Sequence, residues 1–324
     1  MSEKLTIWCN ADLSEPAMAE LKEGTAKHRL LIEGEQTGNL GAGGASELLK
    51  EAEIAFGQPD PRQAMELSTL RWVHLTSAGY TRYDSPEFRS ALTGRGATMT
   101  NSSSVFDEPC AQHLLAFMLA LARQLPASLS DQLGPKSWDY ERLRSQTRLL
   151  DGQTVLILSF GAIARRLVQL LAPFNLNVVA VRRHVKGDEP VETHPIDELP
   201  RLLSEADHVV NILPANGSTN RLVNAEALAA MKTGAMFYNV GRGSTVDQAA
   251  LIEALTTGRL GGAYLDVTDP EPLPSDHPLW TCPNCYITPH IAGGHAEEME
   301  RLVRHFLRNL ALYEAGAPLV DRVI

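Results

Sequence analysis

Basic residues are in deficit: 29 lysines and arginines stand against 39 aspartates and glutamates, a formal charge of −10. No lysine or arginine block offsets that balance, which argues against a nucleic-acid partner. Cysteine is scarce as well. Four in 324 residues are too few for a disulfide framework. Cys282 and Cys285 have redox or zinc spacing, but no second Cys pair or close Cys/His set completes four ligands. Tyr286 and Ile287 continue as a strand rather than a helix, so ordinary thiols and no metal are expected. Long apolar runs are missing too. The longest, Leu114 to Ala122, is half a membrane span and reads as a buried helix. Met1 to Ile7 lacks the basic-then-apolar pattern of a signal peptide and reads as a first strand, which makes cytoplasm the default expectation.

What is present is an alternation. The length suits about two domains. From about 150 to 290, short apolar runs at 154–158, 178–181, 209–213, 235–240, 262–267 and 285–288 read as strands. Helix-period segments separate them, such as Ile163, Leu167 and Leu171 up to Pro173, or Leu251, Ile252 and Leu255. Strands rich in β-branched residues and joined by helices specify a parallel sheet covered on both faces. Six such strands predict a Rossmann-type doubly wound α/β domain.

The first hundred residues alternate less regularly. Leu5 to Trp8, Glu53 to Phe56 and Trp72 to Leu75 read as strands, and Ala17 to Lys22 and Ala45 to Ala52 as helices. Gly38 to Gly44 opens no helix after a strand and reads as a flexible connection. Asp107 and Glu108 precede Pro109, a proline suited to a first helical turn. The helix from there to Arg123 is apolar nearly all round and is expected to be buried, between domains or against a second subunit. Ala296 to Glu314 has helical periodicity.

Two constellations carry chemistry. Thr154 to Ala164 is a strand that passes through a glycine turn into a helix, where backbone amides can meet a pyrophosphate. Ser159, Gly161 and Ala164 fill the three Gly-x-Gly-x-x-Gly places, with Ala162 and Ile163 at the turn. Alanine suits the third place, whereas serine departs from the tight-turn glycine at the first. Arg182 falls 21 residues beyond Gly161, where an acid would bind the ribose of NAD, and Arg183 follows it. With no acid beside the pair, NADP(H) is expected over NAD(H), through charge-assisted bonds to a 2′-phosphate.

The second constellation is Arg242, Glu271 and His290, each after an apparent strand and spaced by 29 and then 19 residues. Reducing a 2-oxo acid needs a proton donor to the carbonyl, a clamp on the carboxylate and a hydride. Imidazole is the side chain that titrates near neutrality without help, which makes His290 the natural proton donor, and an adjacent Glu271 favours an imidazolium. Arg242 offers a planar fork that lysine cannot copy.

Several strings carry a resemblance: Ala206 to Pro214, Met231 to Ala235, Asn239 to Gly243, Leu265 to Val267, Pro270 to Leu273, His277 to Trp280 and Thr288 to Ala292. Thr76 to Gly79, Asn101 and Gly316 to Leu319 extend it to both ends. The chain resembles the D-isomer-specific 2-hydroxyacid dehydrogenases, a family that includes glyoxylate/hydroxypyruvate reductases, D-lactate dehydrogenases and phosphoglycerate dehydrogenase. The resemblance implies a flavodoxin-like catalytic domain from residues 1–102 and 292–324, with a cofactor domain of 103–291 inserted in it. It gives Arg242, Glu271 and His290 the three roles above. It also implies a carboxylate clamp from the amides of Ser77, Ala78 and Gly79. Pro214, Thr219, Val240, Gly241 and Gly293 would line the cofactor, and Asp266 would accept from the nicotinamide or serve as a structural cap. A homodimer follows from the same likeness, with Trp138 as an interface aromatic. The expected activity is reduction of glyoxylate, hydroxypyruvate or a similar small 2-oxo acid. The alternatives are a nucleotide-sensing corepressor-like protein, a phosphoglycerate dehydrogenase-like enzyme, or a member whose cofactor binding Ser159 has weakened.

Overall fold

Every named strand runs parallel to its neighbours, in two separate sheets. The computed structural model describes residues 4–324 and divides into two units, Met1–Phe106 with Gly294–Ile324, and Asp107–Gly293. The first unit runs β1 (Thr6–Ala11), α1 (Glu15–Gly24), β2 (Arg29–Thr37), β3 (Ile54–Gly57), α2 (Pro61–Glu66), β4 (Trp72–Leu75), α3 (Pro86–Gly94) and β5 (Thr98–Thr100). Its sheet order is β2-β1-β3-β4-β5. Ser14, Asp60 and Ser85 cap the three helices, each followed by a proline in the first turn.

Next come α4 (Ser103–Ala122), α5 (Leu125–Leu133) and α6 (Tyr140–Gln146). The second sheet follows through β6 (Thr154–Leu158), α7 (Ala162–Leu171), β7 (Asn177–Val181), β8 (Glu192–His194), α8 (Leu199–Glu205), β9 (His208–Asn211), α9 (Ala225–Ala230), β10 (Met236–Asn239), α10 (Gln248–Thr256), β11 (Gly262–Leu265) and β12 (Cys285–Ile287). Its order, β12-β11-β10-β9-β6-β7-β8, reverses direction at β6, the doubly wound pattern. The last helix, α11 (Glu298–Glu314), returns to the first unit.

Both cores follow from the apolar strands. In the second unit Leu156, Leu158, Val209, Phe237, Ala263 and Leu265 are buried together. In the first, α11 lays Val303, Phe306 and Leu310 over Ile7, Phe56 and Trp72, with the Phe306 ring stacked on Phe56 at 4.4 Å. The tryptophans divide between the units: Trp8 and Trp72 are buried in the first, while Trp138 and Trp280 are exposed in the second.

Several sequence expectations are corrected. The second sheet has seven strands rather than six, because β8 is a short polar edge strand with no apolar run to announce it. β2 is likewise an edge strand, with three charged residues and no buried position, and β5 has only three residues. The expected helix Ala45–Ala52 is a single 3₁₀ turn, Leu48–Glu51. Ser46 Oγ accepts the Leu49 amide at 3.1 Å, and Ala52 is already extended to enter β3. Pro109 lies inside α4, not at its start. Asn101 and Asp321 satisfy the first-turn amides of Ser103 and Ser104, so the helix begins six residues before the proline. Nor is α4 buried all round: Ala111, Leu114 and Met118 are covered, whereas Ala116 is exposed. The reading of Met1 to Ile7 as a strand holds from Thr6, and residues 1–3 lie outside the described residues.

Candidate active site

In an all-parallel sheet the C-terminal ends of the strands share one edge, which is where open α/β sheets bind ligands. Ser159 follows β6, Arg242 follows β10, Asp266 follows β11 and His290 follows β12. The sequence spacing of the trio is thus converted into proximity.

Glu271 and His290 meet directly. Oε2 of Glu271 lies 2.9 Å from Nδ1 of the imidazole, and Oε1 accepts the Thr268 amide at 3.0 Å. Burial works against the Glu271 anion, but the His290 bond, the Thr268 amide and the nearby Arg242 charge outweigh it and hold the carboxyl below its ordinary range. His290 has φ +54°, a left-handed pose that histidine adopts more readily than most residues. Its own amide is shared between Asp266 O at 2.9 Å and Thr288 O at 3.0 Å.

Arg242 is braced from below. Asn211, Asn239 and Thr245 are buried and joined side chain to side chain, and Thr245 Oγ1 donates to Arg242 O at 2.6 Å. The flanking glycines are sterically required: a Cβ on Gly243 would stand 1.9 Å from Thr268 O, and one on Gly241 2.7 Å from Leu213 O. One guanidinium nitrogen donates to Gly241 O at 2.6 Å. Burial lowers the Arg242 pKa, with Glu271 opposing, and among the described residues no carboxylate forms a salt bridge with it. A partly buried cation with no salt-bridged acid is ready for an anion from outside.

Asp266 serves as a brace. Thr288 Oγ1 and the Ile291 amide donate to Oδ1 at 2.6 and 2.9 Å, and the Ala292 amide to Oδ2 at 3.0 Å. These bonds fill the structural-cap alternative and fix the segment that carries His290. A carboxylate has about four acceptor sites, so Oδ2 retains capacity for one more donor. Gly293 follows that segment directly.

At the cofactor turn, Ser159 keeps the backbone that a glycine would have, φ +84°, with its amide on Val181 O at 2.8 Å. Gly161 begins α7 without a capping side chain, and a Cβ added there would meet nothing within 4 Å. The protein itself leaves that space open, so the turn fits a pyrophosphate lying against the amides of Ala162 and Ile163. Holding serine at positive φ costs roughly 1–2 kcal/mol. Ser159→Gly is therefore expected to raise the Tm by about 2–4 °C, read by calorimetry. A lower Tm would mean the hydroxyl offsets the strain.

The arginine pair separates. Arg182 donates to Glu189 Oε1 at 2.6 Å, and that carboxylate also takes the Lys186 and Gly187 amides at 3.0 and 2.8 Å. No acid takes the pair's own place, but Glu189, seven residues on, folds back onto Arg182, its carboxyl held at about 2 chiefly by the Lys186 amide. Arg183 instead reaches Ser218 Oγ in the loop after β9, with no acid of its own among the described residues. In that loop Thr219 is buried and donates to Pro214 O at 2.6 Å. Val240 is buried at the end of β10, beside Gly241.

The Ser77–Gly79 segment belongs to the first unit and follows β4. Its three carbonyls all point inward: Ser77 O accepts the Ser102 amide at 3.1 Å, Ala78 O accepts Asn101 Nδ2 at 2.7 Å, and Gly79 O accepts Ser77 Oγ at 2.7 Å. In a trans peptide the carbonyl and the next N–H point in opposite directions. The amides of Ala78 and Gly79 are therefore turned away, and among the described residues neither meets an intramolecular acceptor. Sequence reasoning missed the braces, Asn211, Thr245 and Ser102, because a buried polar residue inside a strand or at a helix start carries no local pattern. Cys282 and Cys285 are free thiols, and burial pushes the Cys285 pKa up to about 12, far from a reactive thiolate.

Comparison with known proteins adds four findings. Residues 115–292 match the family model described as D-isomer specific 2-hydroxyacid dehydrogenase, NAD binding domain. The chain is 35% identical over 289 residues to an uncharacterized protein in the proB 3′ region of Corynebacterium melassecola, covering 86% of this chain and 90% of that one. It is 32% identical to glyoxylate/hydroxypyruvate reductase B of Escherichia fergusonii, covering 76% of this chain and 75% of that one. The crystal structure of a D-isomer specific 2-hydroxyacid dehydrogenase from Xanthobacter autotrophicus Py2, in complex with NADPH and MES, superposes with a TM-score of 0.81 at 26% identity, covering 100% and 98% of the two chains.

Proposed function

The chain belongs to the D-isomer specific 2-hydroxyacid dehydrogenase family, oxidoreductases acting on CH–OH donors, and we propose that it is an NADPH-preferring reductase of glyoxylate, hydroxypyruvate or a similarly small 2-oxo acid. The observation that carries this reading is the 2.9 Å contact between Glu271 and His290, at the same sheet edge as the Arg242 guanidinium.

A nicotinamide cofactor supplies the hydride when bound. Ser159, Gly161, Ala162 and Ile163 hold its pyrophosphate, and Pro214, Thr219, Val240, Gly241 and Gly293 line the rest. Arg242 binds the substrate carboxylate and polarises the carbonyl; the outward amides of Ala78 and Gly79, in the first unit, are a further carboxylate-binding group. His290 gives its proton to the carbonyl oxygen as the alcohol forms. Glu271 orients the imidazole through Nδ1, leaving Nε2 as the donor.

NADP(H) preference is assigned to Arg183, the member of the pair without an acid partner, and the NADPH in the Xanthobacter relative agrees with it. Turnover of glyoxylate and hydroxypyruvate with NADPH and with NADH tests the whole reading. Arg183→Gln is expected to cut kcat/KM for NADPH about 10- to 100-fold, the worth of one charge-assisted bond, and to leave NADH nearly unchanged. A wild-type enzyme that favours NADH would sink the preference.

The same reading makes the protein a homodimer in the cytoplasm, where its four free thiols are at home. The support for the dimer is an apolar stretch on α5 and after it: Leu129, Leu133, Trp138 and Leu149 are 56%, 84%, 87% and 68% exposed. Light scattering is expected to give twice the 35.4 kDa chain mass. A single-chain mass at micromolar concentration would remove the dimer.

A further inference from the structure

Beneath the Ser77–Gly79 segment lies a buried polar cluster that the proposed chemistry does not use. Asn101 is its centre. Nδ2 of Asn101 holds Ala78 O at 2.7 Å, and that bond turns the Gly79 amide outward. Asn101 is in turn gripped by two elements distant in sequence. Its backbone N–H donates to Asp321 O at 3.1 Å, and its backbone O faces Nε2 of His305 on α11 at 3.2 Å. The same Nε2 lies 3.3 Å from Asp321 Oδ2, so one imidazole N–H is shared between Asn101 and the carboxylate. Asp321 Oδ2 also takes the Ser104 amide at 2.8 Å, closing the ring of contacts around the start of α4. Asn309, one turn along α11 from His305, pins the preceding tail residue Val320 through both its backbone atoms' partners, at 2.8 and 3.1 Å.

We propose that His305 and Asp321 are positioning residues for the substrate carboxylate, acting through Asn101 on the amides of Ala78 and Gly79. The inference rests on the assignment of those amides to the carboxylate. The cluster is more than generic packing in one respect. Buried His305 and half-buried Asp321 meet at one imidazole nitrogen; that nitrogen faces the Asn101 carbonyl, the Asp321 carbonyl accepts the Asn101 amide, and Nδ2 of Asn101 ends on the candidate clamp. Loosening the grip leaves both amides in place covalently but frees them to rotate, which weakens carboxylate binding without touching the proton donor or the cofactor turn.

The test is a split between constants. His305→Leu removes the donor to Asn101 O, and Asp321→Asn keeps the shape of the carboxylate while removing its charge. Both are expected to raise KM for glyoxylate about tenfold or more, with kcat and KM for NADPH within about twofold, since small misplacement of a binding group is costly. His305→Gln retains a side-chain N–H for Asn101 and should stay close to wild type. A merely structural role would instead lower the Tm and degrade all constants together. Glyoxylate KM within twofold of wild type in Asp321→Asn, or NADPH and glyoxylate constants rising in parallel, overturns the proposal. Should His305→Leu fail to fold, Asp321→Asn decides alone. Calorimetry of oxalate binding to the NADPH-loaded protein reads the clamp without turnover. An inert wild-type enzyme whose oxalate affinity still falls in Asp321→Asn would therefore sink the activity and spare the positioning role.

Discussion

Replacing His290 by glutamine is expected to lower kcat by about 10²- to 10⁴-fold while the dissociation constant for NADPH stays within a few-fold. Glutamine can fill the space and bond to Glu271, but it cannot give up a proton at neutral pH. The segment that carries residue 290 is fixed by Asp266, through Thr288, Ile291 and Ala292, so the substitution removes the acid without releasing its support. Stopped-flow reduction of glyoxylate at saturating NADPH is the measurement. A turnover within fivefold of wild type would remove His290 as the donor. The pH dependence carries a second signature. Because the Glu271 carboxyl is held below its usual range, its hold on the imidazole is complete above the ordinary carboxylate pKa and is lost only as pH falls through the depressed value. Activity and stability should therefore persist into mildly acidic buffer, and Glu271→Gln should remove that acid-side limb.

Arg242→Lys is expected to reduce kcat/KM for the 2-oxo acid about 10²- to 10³-fold, the cost of removing one preorganised donor to developing charge. Lysine keeps the charge but not the fork, and one ammonium cannot bind a carboxylate and polarise the adjacent carbonyl together. The backbone at 242 has little freedom to compensate. Glycines pressed against Thr268 and Leu213 stand on either side, and the buried Asn211, Asn239 and Thr245 set lies beneath. The Tm should stay close to wild type, because the guanidinium makes one hydrogen bond to its own neighbour's carbonyl and no salt bridge among the described residues. A lysine variant with wild-type kcat/KM would transfer the clamp to another residue.

The parts legible in the sequence are those with a local pattern. All six apolar runs became strands of the second sheet, because a parallel strand buried on both faces must be a continuous apolar run. β8 escaped because an edge strand needs only one partner and can be polar throughout, and β2 because its three apolar residues, Leu30 to Ile32, give way to a polar half. Pro109 misled because the proline rule describes an isolated helix. Here Asn101 and Asp321, far apart in the chain, supply the cap that lets α4 begin earlier. The same limit applies to Arg182: counting residues singles it out, yet counting cannot reveal that Glu189 curls back to neutralise it. Long-range pairing is what a linear reading misses, and the Asn101 cluster is made almost wholly of it.

The division of the four tryptophans has an optical consequence. Trp8 and Trp72, 1% and 0% exposed in the first unit, should emit at short wavelength and resist iodide, whereas Trp280, 49% exposed in the second, should emit to the red and be quenched; Trp138, in the proposed dimer surface, should join it only in the single chain. Fluorescence from an unlabelled sample thus carries two resolvable colours, one from each unit. The melting of either can be followed in a single cuvette without adding a reporter group.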